Sequence, residues 1–305
     1  MVFKMKNKIV VRWAKSEDEN IYNFGDDVGP YVINKLSGLE VENIAFPHNR
    51  LRSIMLFIKL IFRGELSLYL FSSFLKSFFV KEYILSCGSI LQWYSSSRAI
   101  VWGAGIIDND VELIRAKKYL AVRGKYSHEK IKKFNLKEPV VYGDPALLLP
   151  RIYMPKVRIR YRVGVIAHYI HYEDFKKLNL PDDVLLIKLN SPSVEEVIEN
   201  ICSCEYTIST SLHGIIVSHA YNIKSLWYEL KNKPLSGDNT KFLDYFSSVD
   251  IPNYKPFPFE DDFDTSKIIN SVASNDEINS PKLDLCVVQN KLINCAPFKV
   301  KNKYL

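Results

Sequence analysis

In ISTSLHGIIVSHAY, residues 208–221, a β-rich run meets an apolar helical run at Ser211, Leu212, His213 and Gly214. Ser211 is expected to cap the helix through its hydroxyl, leaving first-turn amides and the positive end of the helix dipole to an anion such as a phosphate or carboxylate. That dipole disfavours imidazolium, so His213 reads as a neutral ring that donates a hydrogen bond or accepts a proton, unless a bound dianion raises its pKa. Gly214 lets a ligand or a neighbouring segment approach the backbone. Arg123 precedes Gly124 at a strand end and can fork onto a carboxylate or phosphate. In YNFGDDVGP, residues 22–30, Asp26 and Asp27 offer acceptors for sugar hydroxyls or a base, and His168 lies in GVIAHYIHYED. Each has an ordinary alternative: interface packing for His213, a salt bridge for Arg123, capping for His168, and turn formation for the Gly-Asp pair.

The elements that must position these residues are short runs apolar on both faces, as in parallel strands covered by helices. Strands are expected at 8–14, 83–89, 99–105, 119–124 and 140–146, then at 162–169, 183–190, 206–211 and 225–230. The segment SPSVEEVIENICSC between two of them has a Ser-Pro start, early acids and helical spacing at Val194, Val197, Ile198 and Ile201. The fold class is therefore α/β, with two doubly wound Rossmann-like domains facing a cleft. Two prolines and a basic run in YGDPALLLPRIYMPKVRIRYRVGV place the boundary near 150–160, giving domains over 1–152 and 153–265 and a C-terminal tail and helix over 266–305. In such sheets ligands sit at the carboxyl ends of the strands. Asn23, Gly25, Asp26, Gly29, Gly88, Ser89, Gly103, Gly105, Arg123, Gly124, His168 and residues 211–214 should then line one cleft.

A chain of 305 residues with 47% hydrophobic and 25% charged residues is globular rather than disordered. Its net charge of +7 favours an anionic partner, a phosphorylated small molecule or an anionic lipid surface, and no nucleic-acid motif accompanies it. The start lacks a cleavable signal pattern, which points to the cytoplasm. Five cysteines at these spacings suggest reduced thiols and no metal site. Residues 51–80 are rich in apolar residues, but Lys59, Arg63, Glu65 and Lys76 interrupt them, so a membrane span is not expected. They read either as core helices or as an interfacial element on an anionic bilayer.

The ordered blocks NFGDDVGPYVINKLSG, ILSCGSIL, VWGAG, VRGKYS, GDPALLLP, STSLHGIIVSHAY and KFLDYF, with the closing LINCAPF, resemble the polysaccharide pyruvyltransferase family. The resemblance implies a GT-B-like fold. It also implies transfer of pyruvate from phosphoenolpyruvate to two hydroxyls of a galactose- or mannose-type hexose, forming a cyclic ketal and releasing phosphate. The acceptor would belong to a cell-surface polysaccharide, such as capsule or exopolysaccharide, or to a lipid-linked oligosaccharide precursor. Arg123 and His213 match the family's phosphoenolpyruvate-holding arginine and histidine. Some members carry arginine where this chain has Ser211, so Lys241 is a candidate for the rest of the anion clamp beside Ser211, Leu212 and Gly214.

An arginine opposite a helix N-terminus suits a molecule bearing both a carboxylate and a phosphate. His213 would hold or protonate the leaving phosphate, with Asp26, His168 or Glu229 moving protons on the acceptor side, where Asn23 and Ser89 would also bind the sugar. No cofactor is expected beyond phosphoenolpyruvate as donor substrate. Two rivals share the cleft: a GT-B glycosyltransferase using a nucleotide sugar, and a non-catalytic sugar-binding protein.

Overall fold

The computed structural model describes residues 8–15, 22–46, 50–136, 140–259 and 263–305. The first seven residues, where the sequence was read for a signal pattern, lie outside the described residues. The first sheet is formed by β1 (Lys8–Val11), β2 (Glu40–Asn43), β3 (Tyr83–Leu85), β4 (Ala99–Trp102), β5 (Lys118–Val122) and β6 (Val141–Tyr142). The second contains β7 (Tyr161–Ala167), β8 (Val184–Lys188), β9 (Cys204–Ser209), β10 (Ser225–Glu229) and β11 (Phe257–Pro258). Every pairing is parallel.

The helices are α1 (Phe24–Ser37), α2 (Arg50–Arg63), α3 (Leu68–Ser77), α4 (Leu91–Tyr94), α5 (Lys125–Lys132) and α6 (Leu149–Ile152). They continue with α7 (Tyr172–Lys176), α8 (Val194–Cys202), α9 (Leu212–Ala220), α10 (Thr240–Ser248), α11 (Thr265–Ser274) and α12 (Leu285–Asn294).

The sheet orders are β2-β1-β3-β4-β5-β6 and β11-β10-β9-β7-β8. Counted from its own first strand, the first sheet has the order 2-1-3-4-5-6 and the second, read from its opposite edge, the order 2-1-3-4-5. That order reverses direction between strands one and three, and a crevice opens there at the carboxyl ends. The two crevices are β1/β3 and β7/β9. This is the two-domain, Rossmann-like, GT-B-like architecture expected from the sequence.

Two strands escaped the sequence reading. β2, Glu-Val-Glu-Asn, is an edge strand with no apolar run, and β11 is two residues long within a proline-rich segment. Both are held by neighbours rather than by their own propensity. The other strands end one to four residues before the ends of the expected runs, so the glycine and polar residues there, such as Ser89, Gly105 and Gly124, occupy positions beyond the carboxyl ends of the strands.

One apolar cluster runs through both halves, joining Val28, Trp102 and Leu147 of the first to Ile198, Ile215 and Phe242 of the second. At its middle is a single 3-10 turn, Pro145–Leu148, packed by α1, α9 and α12. α9 is buried at all nine positions. A helix with no solvated side must be enclosed by others, and so the His213 joint lies where the two halves meet.

Candidate active site

α1 begins where its sequence dictates. The Asn23 side chain accepts from the Gly25 amide at 3.2 Å, Asp26 and Asp27 lie in the first turn, and Gly38 ends the helix at φ 74. The same Asn23 donates from Nδ2 to Asp26 Oδ2. Asn23, read as a sugar ligand, thus serves as a cap and as a brace for Asp26. Burial lifts the Asp26 carboxyl to about 6, opposed by His213 and reinforced by Asp27. A carboxylate of that pKa exchanges protons near neutrality.

α9 faces it from the other sheet. Ser211 occupies the N-cap position with extended backbone, but its side chain makes no capping hydrogen bond. The expected cap is therefore corrected: Ser209 Oγ takes the Ser211 amide at 2.9 Å and donates within the same turn. Its neighbour two residues upstream already braces the turn, and the hydroxyl of Ser211 caps nothing. The first amides of α9, from Leu212 to Gly214, thus lack a side-chain acceptor among the described residues. Gly214 serves packing, because a Cβ there would come within 2.3 Å of Ser209 Oγ and 2.7 Å of Ile166 Cγ2.

His213 is 8% exposed and wedged between the domains. A Cβ on Gly25 would lie 2.7 Å from its Nδ1, so only glycine leaves room for the ring. Gly25→Ala is expected to turn the ring away and cut turnover roughly tenfold to a hundredfold, because misplacement of about 1 Å costs that much. Because alanine favours a helix over glycine, the same variant should melt within a few degrees of the parent. Steady-state kinetics beside a thermal melt separates the two effects.

On its far side, His213 Nε2 is 3.7 Å from Asp144 Oδ2, and neither atom has a hydrogen-bond partner among the described residues. Asp144 ends β6 and caps the Pro145–Leu148 turn, its Oδ1 accepting the Ala146 amide at 3.0 Å. Burial would raise this carboxyl, but His213, the Ala146 amide and Cys87 outweigh it and leave it below its usual range. A carboxylate thus faces the ring from the side away from Gly25. Cys87, at the end of β3, completes a buried trio in which one ligand atom each of Cys87, Asp144 and His213 lies within 4.8 Å of the others. Burial first, then Asp144, pushes the Cys87 thiol well up. The same three atoms could hold a divalent ion if the thiol lost its proton. Asp144 and Cys87 were absent from the site expected from the sequence: Asp144 lies in GDPALLLP, which reads as a turn, and Cys87 in ILSCGSIL, where it reads as a buried thiol.

His168 follows β7, and its Nδ1 is the acceptor for the Ile170 amide at 3.4 Å. Burial first, then Lys241, His171 and His213, lowers it to about 3, so it is a neutral ring. Lys241, on α10, is half-buried and lowered to about 8 by burial and by the neighbouring Arg123. Two cations held close together create a positive potential that an anion relieves.

Arg123 departs from the expected open fork. It is completely buried, with Nε on Asp244 Oδ2 at 3.1 Å, Nη1 on Ser89 Oγ at 2.7 Å and Nη2 on the Ile106 carbonyl. Five N–H groups and three acceptors leave it charged behind the wall of the cleft rather than on it. Ser89, expected at the sugar, is committed to Arg123. Asp244 is also buried and accepts from Ser127 N and Oγ, so the pair joins β5 and α5 of the first half to α10 of the second. Glu229 ends β10, where its carbonyl accepts the Phe259 amide; the structure gives its carboxylate no bond to the other candidates. His219 bridges Tyr245 Oη and the Asn279 carbonyl inside the core, as a structural histidine does.

The structure thus brings Asp26, His168, His213 and Lys241 to one crevice, with Asn23 and Arg123 bracing it. A family model described as polysaccharide pyruvyl transferase matches residues 23–232, more than half of the chain and all the elements of this crevice up to β10. An uncharacterized protein of Acanthamoeba polyphaga mimivirus is 28% identical over 200 residues, covering 63% of this chain and 67% of that protein. The chain belongs to the polysaccharide pyruvyl transferase family.

Proposed function

We propose that the protein moves pyruvate from phosphoenolpyruvate to two hydroxyls of a hexose in a cell-surface polysaccharide or its lipid-linked precursor, acting in the cytoplasm without a metal or other cofactor. Family membership makes it a transferase of pyruvyl groups to polysaccharide. The finer reading draws support from one observation: the start of α9 has no side-chain cap, and His213 in that first turn and Lys241, with Arg123 near it, both act electrostatically on the ring of His168. Helix-start amides and two cations suit a ligand with a phosphate and a carboxylate.

His213, with Asp144 behind it, passes a proton to the bridging oxygen of the leaving phosphate. A solvent proton, replaced by one that a sugar hydroxyl later releases, adds to the enol carbon and places positive charge on the carbon bearing that oxygen. A sugar hydroxyl attacks this carbon, the C–O bond to phosphate breaks, and a second hydroxyl of the same sugar closes the ketal as its proton departs. Asp26 takes a hydroxyl proton, His168 accepts or donates a hydrogen bond as a neutral ring, and Lys241 holds the carboxylate. Such positioned proton transfer contributes roughly 100- to 10,000-fold.

The test is phosphate release from phosphoenolpyruvate, followed beside mass spectrometry of synthetic galactosides and mannosides. Release only with an acceptor, and a product carrying the pyruvate ketal, is the expected result; turnover of a nucleotide sugar instead would favour the glycosyltransferase. Asp26 is a base only when ionised, and its pKa is raised, so kcat/KM should fall as pH drops through about 6. Asp26→Asn should remove that limb along with most of the rate.

A further inference from the structure

We infer that the α2–α3 hairpin is a docking surface for an anionic lipid bilayer. On α2, Leu51, Ile54, Met55, Ile58, Ile61 and Phe62 are all exposed. At 3.6 residues per turn these six fall within an arc of about 120°. Leu56, Ser53, Leu60 and Phe57 occupy the opposite, inward side of the helix, where Ser53 is buried and the others are partly covered. α3 repeats the arrangement, with Leu68, Phe71 and Leu75 exposed and Phe79 beyond its end. Leu51, Met55, Phe62, Leu68 and Phe79 are each 62–89% exposed, far beyond the scattered apolar residues of an ordinary surface.

The hairpin is firmly attached by its other side. Phe57 stacks on Phe74 with centroids 3.9 Å apart, Phe46 packs edge-on against Phe74 at 5.4 Å, and the Ala45 amide donates to Ser73 Oγ at 2.8 Å. The open faces are thus the outer faces of an anchored element. Neither helix can span: among the described residues no helix is long and apolar enough to cross a membrane.

Charge selects the occupant. Residues 50–81 contain six Lys or Arg and one acid, Glu65. On α2, Lys59 and Arg63 border the apolar arc on one edge, the arrangement of a helix that sinks its apolar face between acyl chains and sets cations among anionic headgroups. A second copy would bring like charges together. The surface is also placed for a lipid-linked acceptor: α3 supplies Tyr69 and Lys76 to a cavity of about 280 Å³ whose other walls include Trp13 and Asn43, at the carboxyl ends of β1 and β2. This last point rests on the transferase reading; the docking surface does not.

The full chain is tested by flotation with vesicles of phosphatidylcholine alone or with about one third phosphatidylglycerol, and by light scattering without lipid. Expected is flotation with the anionic vesicles, weakened by salt, and at least about tenfold weaker with the neutral ones. Met55→Glu with Phe62→Glu should abolish it, and Lys59→Glu with Arg63→Glu should remove the anionic preference, with unchanged circular dichroism in both. A folded parent that floats with neither vesicle, or a dimer that the Phe62→Glu change breaks, overturns the proposal. No activity is measured, so failure here leaves the pyruvyl reaction standing and failure of the reaction leaves this result standing.

Discussion

His213→Ala is expected to lower pyruvyl transfer by roughly a thousandfold while leaving the melting temperature within a few degrees. His213 sits at the junction of α1, α9 and the Pro145–Leu148 turn, and its two ring nitrogens face Gly25 and Asp144. Neither nitrogen joins a hydrogen-bond network that holds the fold, in contrast to His219. Its removal therefore costs catalysis more than stability. Asp144→Asn separates charge from shape: the amide keeps the size of the side chain and its acceptor for Ala146, but no longer presents a negative charge to the His213 ring. The expected outcome is a loss of about tenfold or more in turnover with the melting temperature within a few degrees of the parent. A fall in activity matched by a fall in melting temperature would assign Asp144 to the turn alone. Near-normal turnover in His213→Ala would remove the histidine from the reaction.

Arg123→Ala should have the second large effect, and on the fold first. The substitution leaves Asp244 buried without its counterion and empties a space that no solvent reaches, a change that typically costs about 3–5 kcal/mol. The variant should melt well below the parent and lose activity. The double variant Arg123→Met, Asp244→Leu distinguishes support from catalysis, because apolar residues of similar volume often restore what a broken buried pair loses. If Arg123 charges the donor site through Lys241, the double variant regains stability while turnover stays low and the Lys241 pKa rises for want of its neighbour. Recovery of turnover together with stability would confine Arg123 to the domain joint.

The crevice was legible in the sequence because strand, turn and helix follow one another there, and a Ser-Leu-His-Gly joint fits few other geometries. Asp26 and His213 were visible for that reason: each lies at the start of a helix following a strand of recognisable pattern. Which serine braces the turn was not visible, since Ser209 and Ser211 are chemically the same and differ only in where β9 ends. Asp144 was missed because its partner is 69 positions away in the chain, and Asp-Pro is ordinary turn chemistry. The burial of Arg123 escaped for a similar reason: Asp244 sits in KFLDYF, whose helical pattern shows an acid on an apolar face without naming the cation that answers it. The half-open hairpin at 50–79 was undecidable by composition, because an inward apolar face and an outward one look alike until the sheet beneath one of them is known.

The separation of the two halves of the Arg123–Asp244 pair, 121 positions along the chain, also bears on the order of events during folding. Each sheet is assembled from near-sequential strands and can form on its own schedule, whereas this contact and the one between Asp144 and His213 close long loops and arise only when the halves dock. During synthesis the first sheet therefore emerges with an uncompensated guanidinium and a bare apolar wall, and it stays in that state until α9 and α10 have left the ribosome. Docking is then the step at which aggregation competes with maturation, and recovery of enzymatic function after dilution from denaturant lags the return of secondary structure.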